Sequence, residues 1–169
     1  MLNFQHDILP LKNIIFRTAL RIVLNREEAE DIVQDTLLRL WERREELEQV
    51  DNLEAFALTA ARHLAIDRKE KMENRNLSFD EDAHDMSDEG REGIENQLMR
   101  QETRGFIADI INTLPEKQRT ILQLRDIEGK NYKEIAKTLS ISESDVKVSL
   151  FRARNEVKEK ILQKKSFFL

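Results

Sequence analysis

The residues best suited to chemistry in this sequence are cations and apolar side chains that alternate near its C-terminus. Apolar residues recur there at spacings of four, three, four and four, which predicts a helix with one buried stripe. The predicted stripe consists of Val146, Leu150, Ala153, Val157 and Ile161. The opposite side carries cations beside a bulky aromatic residue: Lys147, Val148, Phe151, Arg152, Asn155 and Lys158. In a DNA major groove, the cations would bind phosphates or guanine edges, and Phe and Val would contact thymine methyl groups.

A second, shorter helix is predicted directly before this one. Asn131 followed three residues later by Glu134 forms the capping-box pattern of a helix N-terminus. Ser142 and Asp145 repeat that pattern, because a Ser hydroxyl can accept a free N–H group and a carboxylate is stabilised in the positive first turn. Two helices joined by a tight turn, with a basic outer face on the second, predict a helix-turn-helix. A terminal helix with a merely solvated charged face, and Phe151 packed on a neighbour, is the less favoured interpretation.

Composition limits both the fold and the class of function. The chain has 169 residues, 36% of them charged, and only 4 Gly and 2 Pro, which predicts an all-α protein of two small helical domains. The absence of Cys excludes disulfides and thiolate chemistry. No stretch is apolar over the length that spans a membrane, and no signal-peptide pattern is present, so we expect a cytoplasmic protein.

Patterns typical of catalysis, cofactor binding and metal binding are not found in the sequence. It has no Gly-rich phosphate loop and no nucleophile elbow, and no His is paired with carboxylates at a meaningful spacing. His63 has no second His or Cys at a ligand spacing, so a zinc site is not expected. We therefore expect a protein that binds other molecules and is not an enzyme, without a metal or a cofactor.

Acidic and basic residues are segregated along the chain, although the formal net charge is only -5. Residues 78–95 contain eight acidic residues and one Arg, whereas residues 147–165 are strongly basic. Because the acidic segment has few apolar side chains, residues 77–93 are predicted to be a linker between domains of residues 1–76 and 94–169. On these residues alone, a solvating spacer and a mimic of nucleic acid in a partner's basic channel are equally good interpretations of the linker.

Three helices are predicted in the first domain. The first covers about residues 5–24, and the second follows Asn25, with Glu28 at its capping-box position. The outward residues of the second helix form an acidic face with a leucine at its centre: Asp31, Gln34, Asp35 and Leu38. This face suits docking on a basic partner, since apolar area supplies affinity and charge supplies steering. A solvated acidic face with one stray leucine is an equally good interpretation of these residues alone.

The third predicted helix, from Leu53 to about Lys71, follows a polar loop of residues 44–52. Its outward residues are Thr59, Arg62, His63, Ile66 and Lys69. Small polar and basic groups beside a loop can hold an extruded base and its phosphates, as proteins that read single strands do. Taken singly, His63 is more simply interpreted as an ordinary surface histidine.

Three segments in this order resemble the extracytoplasmic-function (ECF) sigma factors, group IV of the sigma-70 family of bacterial RNA polymerase subunits. Residues 29–41 (AEDIVQDTLLRLW) resemble region 2.2, residues 56–71 (FALTAARHLAIDRKEK) resemble regions 2.3 and 2.4, and residues 114–161 resemble region 4. The resemblance covers nearly the whole chain. It implies a three-helix region 2 and a helix-turn-helix region 4, which together direct core RNA polymerase to promoters in transcription initiation.

The same resemblance implies a role for each group of outward residues. Binding to the β′ coiled coil of core polymerase is implied for Asp31, Gln34, Asp35 and Leu38. Capture of the unpaired minus-10 strand is implied for Thr59, Arg62, His63 and Lys69. Reading of the minus-35 duplex is implied for Lys147, Val148, Ser149, Phe151, Arg152 and Arg154.

The implied partners are core RNA polymerase, through its β′ and β subunits, promoter DNA, and a cognate anti-sigma factor that is commonly bound to a membrane. The free protein is expected to be a monomer, and the resemblance favours the interpretation of the linker as a nucleic-acid mimic. This chain departs from the family at His63, where an Asn is usual, and at Val148 and Ser149, where an expected arginine is missing. These departures leave the preferred bases open.

A stand-alone helix-turn-helix regulator is the alternative hypothesis. Such a protein would bind an operator as a dimer and use the first domain to sense a ligand. The sequence lacks a dimerisation helix with a sustained heptad seam, and the acidic face around Leu38 has no role in that scheme. The sigma-factor interpretation is therefore favoured.

Overall fold

The computed structural model describes residues 1–75 and 105–168, with side chains through residue 164. Within these ranges every regular element is helical and none is a strand, so the predicted all-α class is confirmed. The predicted linker of residues 77–93 and the start of the predicted second domain lie outside the described residues. No helix in the described part is long and apolar enough to cross a membrane.

The first domain contains four α-helices. These are α1 (Lys12–Val23), α2 (Arg26–Glu42), α3 (Arg44–Leu47) and α4 (Leu53–Arg75). A π-helical turn (Phe4–Ile8) and a 3₁₀ turn (Leu9–Leu11) precede α1. Pro10 lies in the 3₁₀ turn, where its missing N–H costs no helical hydrogen bond. The predicted polar loop of residues 44–52 was partly wrong, because α3 forms there and buries Leu47 against the core.

The core of the first domain lies where α1, α2 and α4 meet. Isoleucines of α1 and α2 are fully buried there, including Ile15, Ile22 and Ile32. The face of α4 that meets them carries Ala57, Ala61 and Ala65, each with no exposed surface. These alanines are four residues apart and therefore share one face, which lets α4 approach α1 closely.

The second domain contains the helix-turn-helix. Helical residues 105–112 (α5) are followed by α6 (Glu116–Leu122), a π-helical turn (Gln123–Ile127), α7 (Tyr132–Leu139) and α8 (Glu143–Phe168). The capping box predicted for α7 is confirmed, since Asn131 and Glu134 exchange both hydrogen bonds. The N-terminus predicted for α8 is also confirmed, because Ser142 Oγ accepts the N–H of Asp145 at 3.0 Å.

The two domains pack against each other. Ile14 of α1 and Leu58 of α4 belong to the apolar cluster of the second domain, where they pack with residues such as Leu124 and Ile135. Burial of Leu58 beside α7 means that one end of α4 is covered by the second domain. This packing decides which candidate residues reach the surface.

Candidate nucleic-acid interface

The outer face of α8 is open to solvent. Of the predicted buried stripe, Val146, Leu150 and Ala153 are buried, whereas Val157 and Ile161 are half-buried. On the opposite side Phe151 is 66% exposed and Val148 is 47% exposed. Phe151 and Val148 are three residues apart, so together they form one exposed apolar patch on this helix. Lys147 and Arg152 are also exposed on this helix, so the apolar pair lies among cations.

Two of the residues predicted to read DNA are not free on this face. Ser149 is only 6% exposed, and its hydroxyl donates to Asp145 Oδ1 at 3.2 Å. Successive helical residues point about 100° apart, so Ser149 turns toward the core while Val148 stays outside. Arg154 is exposed, but its guanidinium binds Asp126 of the π-helical turn, with Nε 3.0 Å from Oδ2. Ser149 therefore lies off the exposed face of α8, and its contact with DNA stays a prediction that this burial disfavours.

The start of α8 is fixed to α6 by an ion pair. Lys117 Nζ lies 2.7 Å and 2.9 Å from the two carboxylate oxygens of Asp145. Hydrogen bonds from Lys117 and Ser149 hold the pKa of Asp145 below its ordinary value. Since this carboxylate is neutralised within the protein, it adds little repulsion toward a phosphate next to Lys147.

Two residues that the sequence analysis missed extend the cationic surface. The ring of Tyr132, at the start of α7, has the Arg125 guanidinium 4.6 Å from its centroid and Lys147 Nζ 5.5 Å from it. The guanidinium also donates to the carbonyl of Lys130 at 2.9 Å. Arg125 and Lys147 come from different elements, so no pattern within one helix could have brought them together.

The acidic face of α2 is present, and an arginine of the neighbouring helix α4 holds its carboxylates. Asp31 and Gln34 are exposed, Asp35 is half-buried, and Leu38 is 55% exposed. The guanidinium of Arg68, on α4, forms ion pairs with Asp31 at 2.8 Å and with Asp35 at 3.4 Å.

Glu28 is the third carboxylate of this group. Asn25 caps α2 by accepting the N–H of Glu28 at 2.9 Å, as predicted. The Glu28 carboxylate binds Arg68 at 2.6 Å. The hydrogen bond to Glu28 is the largest cause of a raised pKa for Arg68, although burial opposes it. The sequence offered no indication of Arg68, because its partners lie 33 to 40 residues away.

The candidate strand-binding residues of α4 differ in their accessibility. His63 is exposed, and Lys69 is half-buried and lies 3.9 Å from Glu73. The hydroxyl of Thr59 is occupied, since it donates to the carbonyl of Ala55 at 3.0 Å. The structure therefore leaves one of these residues, His63, fully at the surface.

Arg62 is covered by the second domain. Its side chain is 15% exposed, and its Nη2 lies 3.3 Å from Glu116 Oε1 at the start of α6. Arg62 Nε is buried without a hydrogen-bond partner. A buried, partly unsatisfied guanidinium is an unfavourable arrangement that would improve on contact with phosphate or water.

Polar contacts line the rest of the seam between the domains. Arg17 of α1 binds the Glu128 carboxylate through two hydrogen bonds, of 2.7 Å and 2.8 Å. Burial would raise the pKa of Glu128, but hydrogen bonds from Arg17 and Gln123 outweigh it, and the pKa lies below its ordinary value. Lys130 and Glu54 form a further ion pair across the seam.

Arg119 joins the domains through backbone carbonyls. It is 5% exposed, and its guanidinium donates to the carbonyl of Arg21 at 2.6 Å, that of Ile22 at 3.3 Å and that of Leu114 at 2.8 Å. The first two carbonyls lie in the last turn of α1, where carbonyls lack helical partners. Arg119 therefore caps a helix of the other domain. It favours the closed arrangement, in which the two domains pack against each other.

Comparisons with known proteins place both domains in one family. The family model for "Sigma-70 region 2" matches residues 8–75, and that for "Sigma-70, region 4" matches residues 107–157. ECF RNA polymerase sigma factor SigL of Mycobacterium tuberculosis is 30% identical over 141 residues, which are 83% of this chain and 78% of the relative. SigM of Bacillus subtilis, also an ECF RNA polymerase sigma factor, is 26% identical over 148 residues, which are 86% of this chain and 87% of the relative.

A longer relative and a solved structure agree with these matches. A probable RNA polymerase sigma factor, RfaY of Xanthomonas campestris, is 30% identical over 158 residues, and this chain spans 39% of its length. The fold is similar to that of the sigma factor RpoE of Bartonella quintana, crystallised in complex with the anti-sigma factor NepR. That likeness has a TM-score of 0.72 at 23% identity, and it covers 92% of this chain and 94% of the other.

The chain therefore belongs to the ECF RNA polymerase sigma factors of the sigma-70 family and functions in transcription initiation. The resemblance inferred from the sequence is confirmed. A stand-alone regulator is not favoured, because region 2 and region 4 occur together in the same chain.

Proposed function

We propose that this chain binds core RNA polymerase through the exposed face of α2 and carries it to promoters that α8 and α4 recognise. The observation that supports docking most directly is Leu38, 55% exposed on a helix that also presents Asp31 and Gln34. A central apolar residue ringed by acids fits the basic coiled coil of the β′ subunit. The role assigned to these residues, with Asp35, rests on their position in region 2.

For the minus-35 element, we propose that α8 enters the major groove. Lys147 and Arg152 would bind phosphates or guanine edges, and Phe151 and Val148 would contact thymine methyl groups. Arg154 would contribute after its guanidinium leaves Asp126 and binds a phosphate. Support for this arrangement comes from the exposure of Phe151 and Val148 at the start of the second helix of a helix-turn-helix.

For the minus-10 element, the proposal requires the two domains to separate. Thr59, Arg62, His63 and Lys69 would hold an unpaired base and its phosphates, but Arg62 lies beneath Glu116 in the closed arrangement. Separation would give this guanidinium a phosphate partner. Binding energy alone would stabilise the opened DNA, so no covalent step is assigned to this chain.

The remaining parts of the proposal concern organisation and partners. Residues 1–76 form region 2, residues 94–169 form region 4, and residues 77–93 form an acidic linker that lies in basic channels of the polymerase. The protein acts in the cytoplasm, where the polymerase works, and is a monomer when free. A cognate anti-sigma factor, membrane-bound as is common in the family, is its inhibitor, and the anti-sigma complex of the Bartonella relative supports that partner.

Co-elution with core polymerase tests the proposal. The purified chain is mixed with sigma-free bacterial core polymerase and passed over a gel-filtration column. We expect co-elution, and its loss with Asp35→Arg or Leu38→Arg. Glu70→Arg is the matched control, because it makes the acid-to-arginine change at an exposed position of α4, about 200° around that helix from Arg68 and so away from α2.

Either of two results would contradict the assignment. Failure of the folded wild-type chain to co-elute would argue against polymerase binding and favour an independent DNA-binding regulator. Equal loss of co-elution in Glu70→Arg would show that the Asp35 and Leu38 variants do not act through a specific face of α2.

A further inference from the structure

The acidic face of α2 is organised by one side chain of another helix. Arg68 of α4 places its guanidinium against Glu28 at 2.6 Å, Asp31 at 2.8 Å and Asp35 at 3.4 Å. The three carboxylates are three and four residues apart on α2, so they share a face and repel one another. A planar guanidinium, with five donors in a fixed fork, can hold all three at once.

Arg68 is less exposed to solvent than the two aspartates that it holds. The Arg68 side chain is 22% exposed, whereas those of Asp31 and Asp35 are 53% and 45% exposed. An ionised carboxylate offers about four acceptor positions, so a bond to Arg68 leaves each aspartate able to accept a partner's cation. Arg68 therefore lies behind the face and need not be displaced when a partner docks.

We propose that Arg68 is a positioning residue for polymerase binding, which presets the Asp31 and Asp35 carboxylates before core polymerase arrives. The inference rests on the proposed function, because it assigns Arg68 a role at the face proposed to dock. Unrestrained aspartates would have to be ordered during binding, and that ordering weakens the complex. Arg68 removes the ordering cost in advance, and since it belongs to α4 it also ties the docking helix to the helix proposed to hold the minus-10 strand.

The competing explanation is a pure charge effect. Arg68 reduces the negative charge of the face, so its removal would strengthen attraction to a basic partner and speed association. Positioning predicts something different, namely faster dissociation of the bound complex. The two effects therefore act on different rate constants.

The test measures association and dissociation of the full chain on immobilised sigma-free core polymerase. We expect Arg68→Gln to dissociate about tenfold faster than wild type, because the Asp31 and Asp35 side chains are then no longer held in place. Arg68→Lys should recover part of the loss, because one ammonium keeps the charge but cannot hold three carboxylates. Arg75→Gln is the matched control, since Arg75 is 65% exposed and lies 3.9 Å from Glu28 in the same cluster.

A double variant separates charge from position. Glu28→Gln combined with Arg68→Gln leaves the net charge of the cluster unchanged but removes the guanidinium that holds the carboxylates. Positioning predicts that this double variant dissociates as fast as Arg68→Gln alone. A double variant that dissociates at the wild-type rate would overturn the proposal, because the complex would then last as long without Arg68 as with it.

A partial loss of folding in a variant does not change the measured dissociation rate constant. Dissociation is followed only for molecules already bound, so a smaller folded fraction lowers the signal and leaves the rate constant unchanged. If Arg68→Gln dissociated at the wild-type rate, the positioning role would be refuted. Asp35→Arg, run alongside, distinguishes that result from failure of the proposed function: if Asp35→Arg binds normally, the face itself is not the docking site.

Discussion

The two faces proposed to read DNA differ in how open they are. The minus-35 face of α8 points to solvent, with Phe151 66% exposed. The minus-10 face of α4 is partly covered, with Arg62 15% exposed beneath Glu116 of the other domain. The same closed arrangement thus leaves the face proposed to read the duplex exposed and covers one cation of the face proposed to bind the unpaired strand.

This difference indicates which recognition step depends on a change of domain arrangement. A duplex minus-35 element can meet α8 without separation of the domains. An unpaired minus-10 strand can meet Arg62 only after the seam opens. Under the proposed function, capture of an unpaired strand by Arg62 would therefore follow separation of the domains.

The largest effect is expected from reversing a charge at the seam. Arg17→Glu places a carboxylate beside Glu128, whose side chain is 5% exposed. An unpaired buried charge is strongly unfavourable, but Arg17 is 47% exposed, so solvent screening reduces the cost. We expect the closed arrangement to lose about 2 kcal/mol, a shift of about 30-fold toward separated domains.

Fluorescence energy transfer measures that shift directly. The chain has no Cys, so Glu48→Cys and Glu159→Cys provide two labelling sites on exposed positions, one in each domain. Energy transfer should fall in Arg17→Glu and return in part when Glu128→Arg is added. Arg39→Glu, a reversal of an exposed arginine away from the seam, is the control. Unchanged transfer in Arg17→Glu would mean that this ion pair does not hold the domains together.

An intermediate effect is expected at the open face. Phe151→Ala should lower the preference of holoenzyme for thymine over uracil in the minus-35 element by about fivefold, because the thymine methyl loses its apolar contact. The duplex is first selected from a random library, and each thymine is then replaced by uracil, which removes only the methyl group. Leu162→Ala is the matched control, as Leu162 is an apolar residue of α8 that is 52% exposed but lies three turns further along. Equal discrimination in Phe151→Ala and wild type would rule out the thymine-methyl contact.

The sequence predicted features that depend on neighbours along the chain. The helical class, the caps at Asn25, Asn131 and Ser142, and the buried stripe of α8 each follow from residues within a few turns. The outward position of Leu38 and Phe151 followed from the same helical periodicity. Local rules suffice there, because capping and amphipathic spacing act within one helix.

Features that depend on contact between distant segments could not be predicted. Arg119 caps a helix 98 residues away, and Arg68 reaches carboxylates on another helix. Covering of Arg62 depends on the packing of two domains, and no spacing within α4 contains that information. The family pattern predicts Ser149 at the DNA surface, and only the packing of α8 shows that this side chain faces the core.

The smallest effect is expected at Ser149, and it tests the orientation of α8. Val148 and Ser149 are adjacent but point about 100° apart, so one faces solvent and the other the core. Ser149→Ala should change the affinity for the selected minus-35 duplex by less than about twofold, while costing about 0.5–1 kcal/mol of stability through the lost hydrogen bond to Asp145. Val148→Ala should weaken DNA binding more than it weakens folding.

Fluorescence anisotropy and urea unfolding of the same preparations separate these two quantities. If Ser149→Ala weakened DNA binding as much as Val148→Ala did, α8 would have to present a different face to the duplex from the one that is open here. The contrast between an open minus-35 face and a covered minus-10 face would then fail, because both readers would require rearrangement before they could bind DNA.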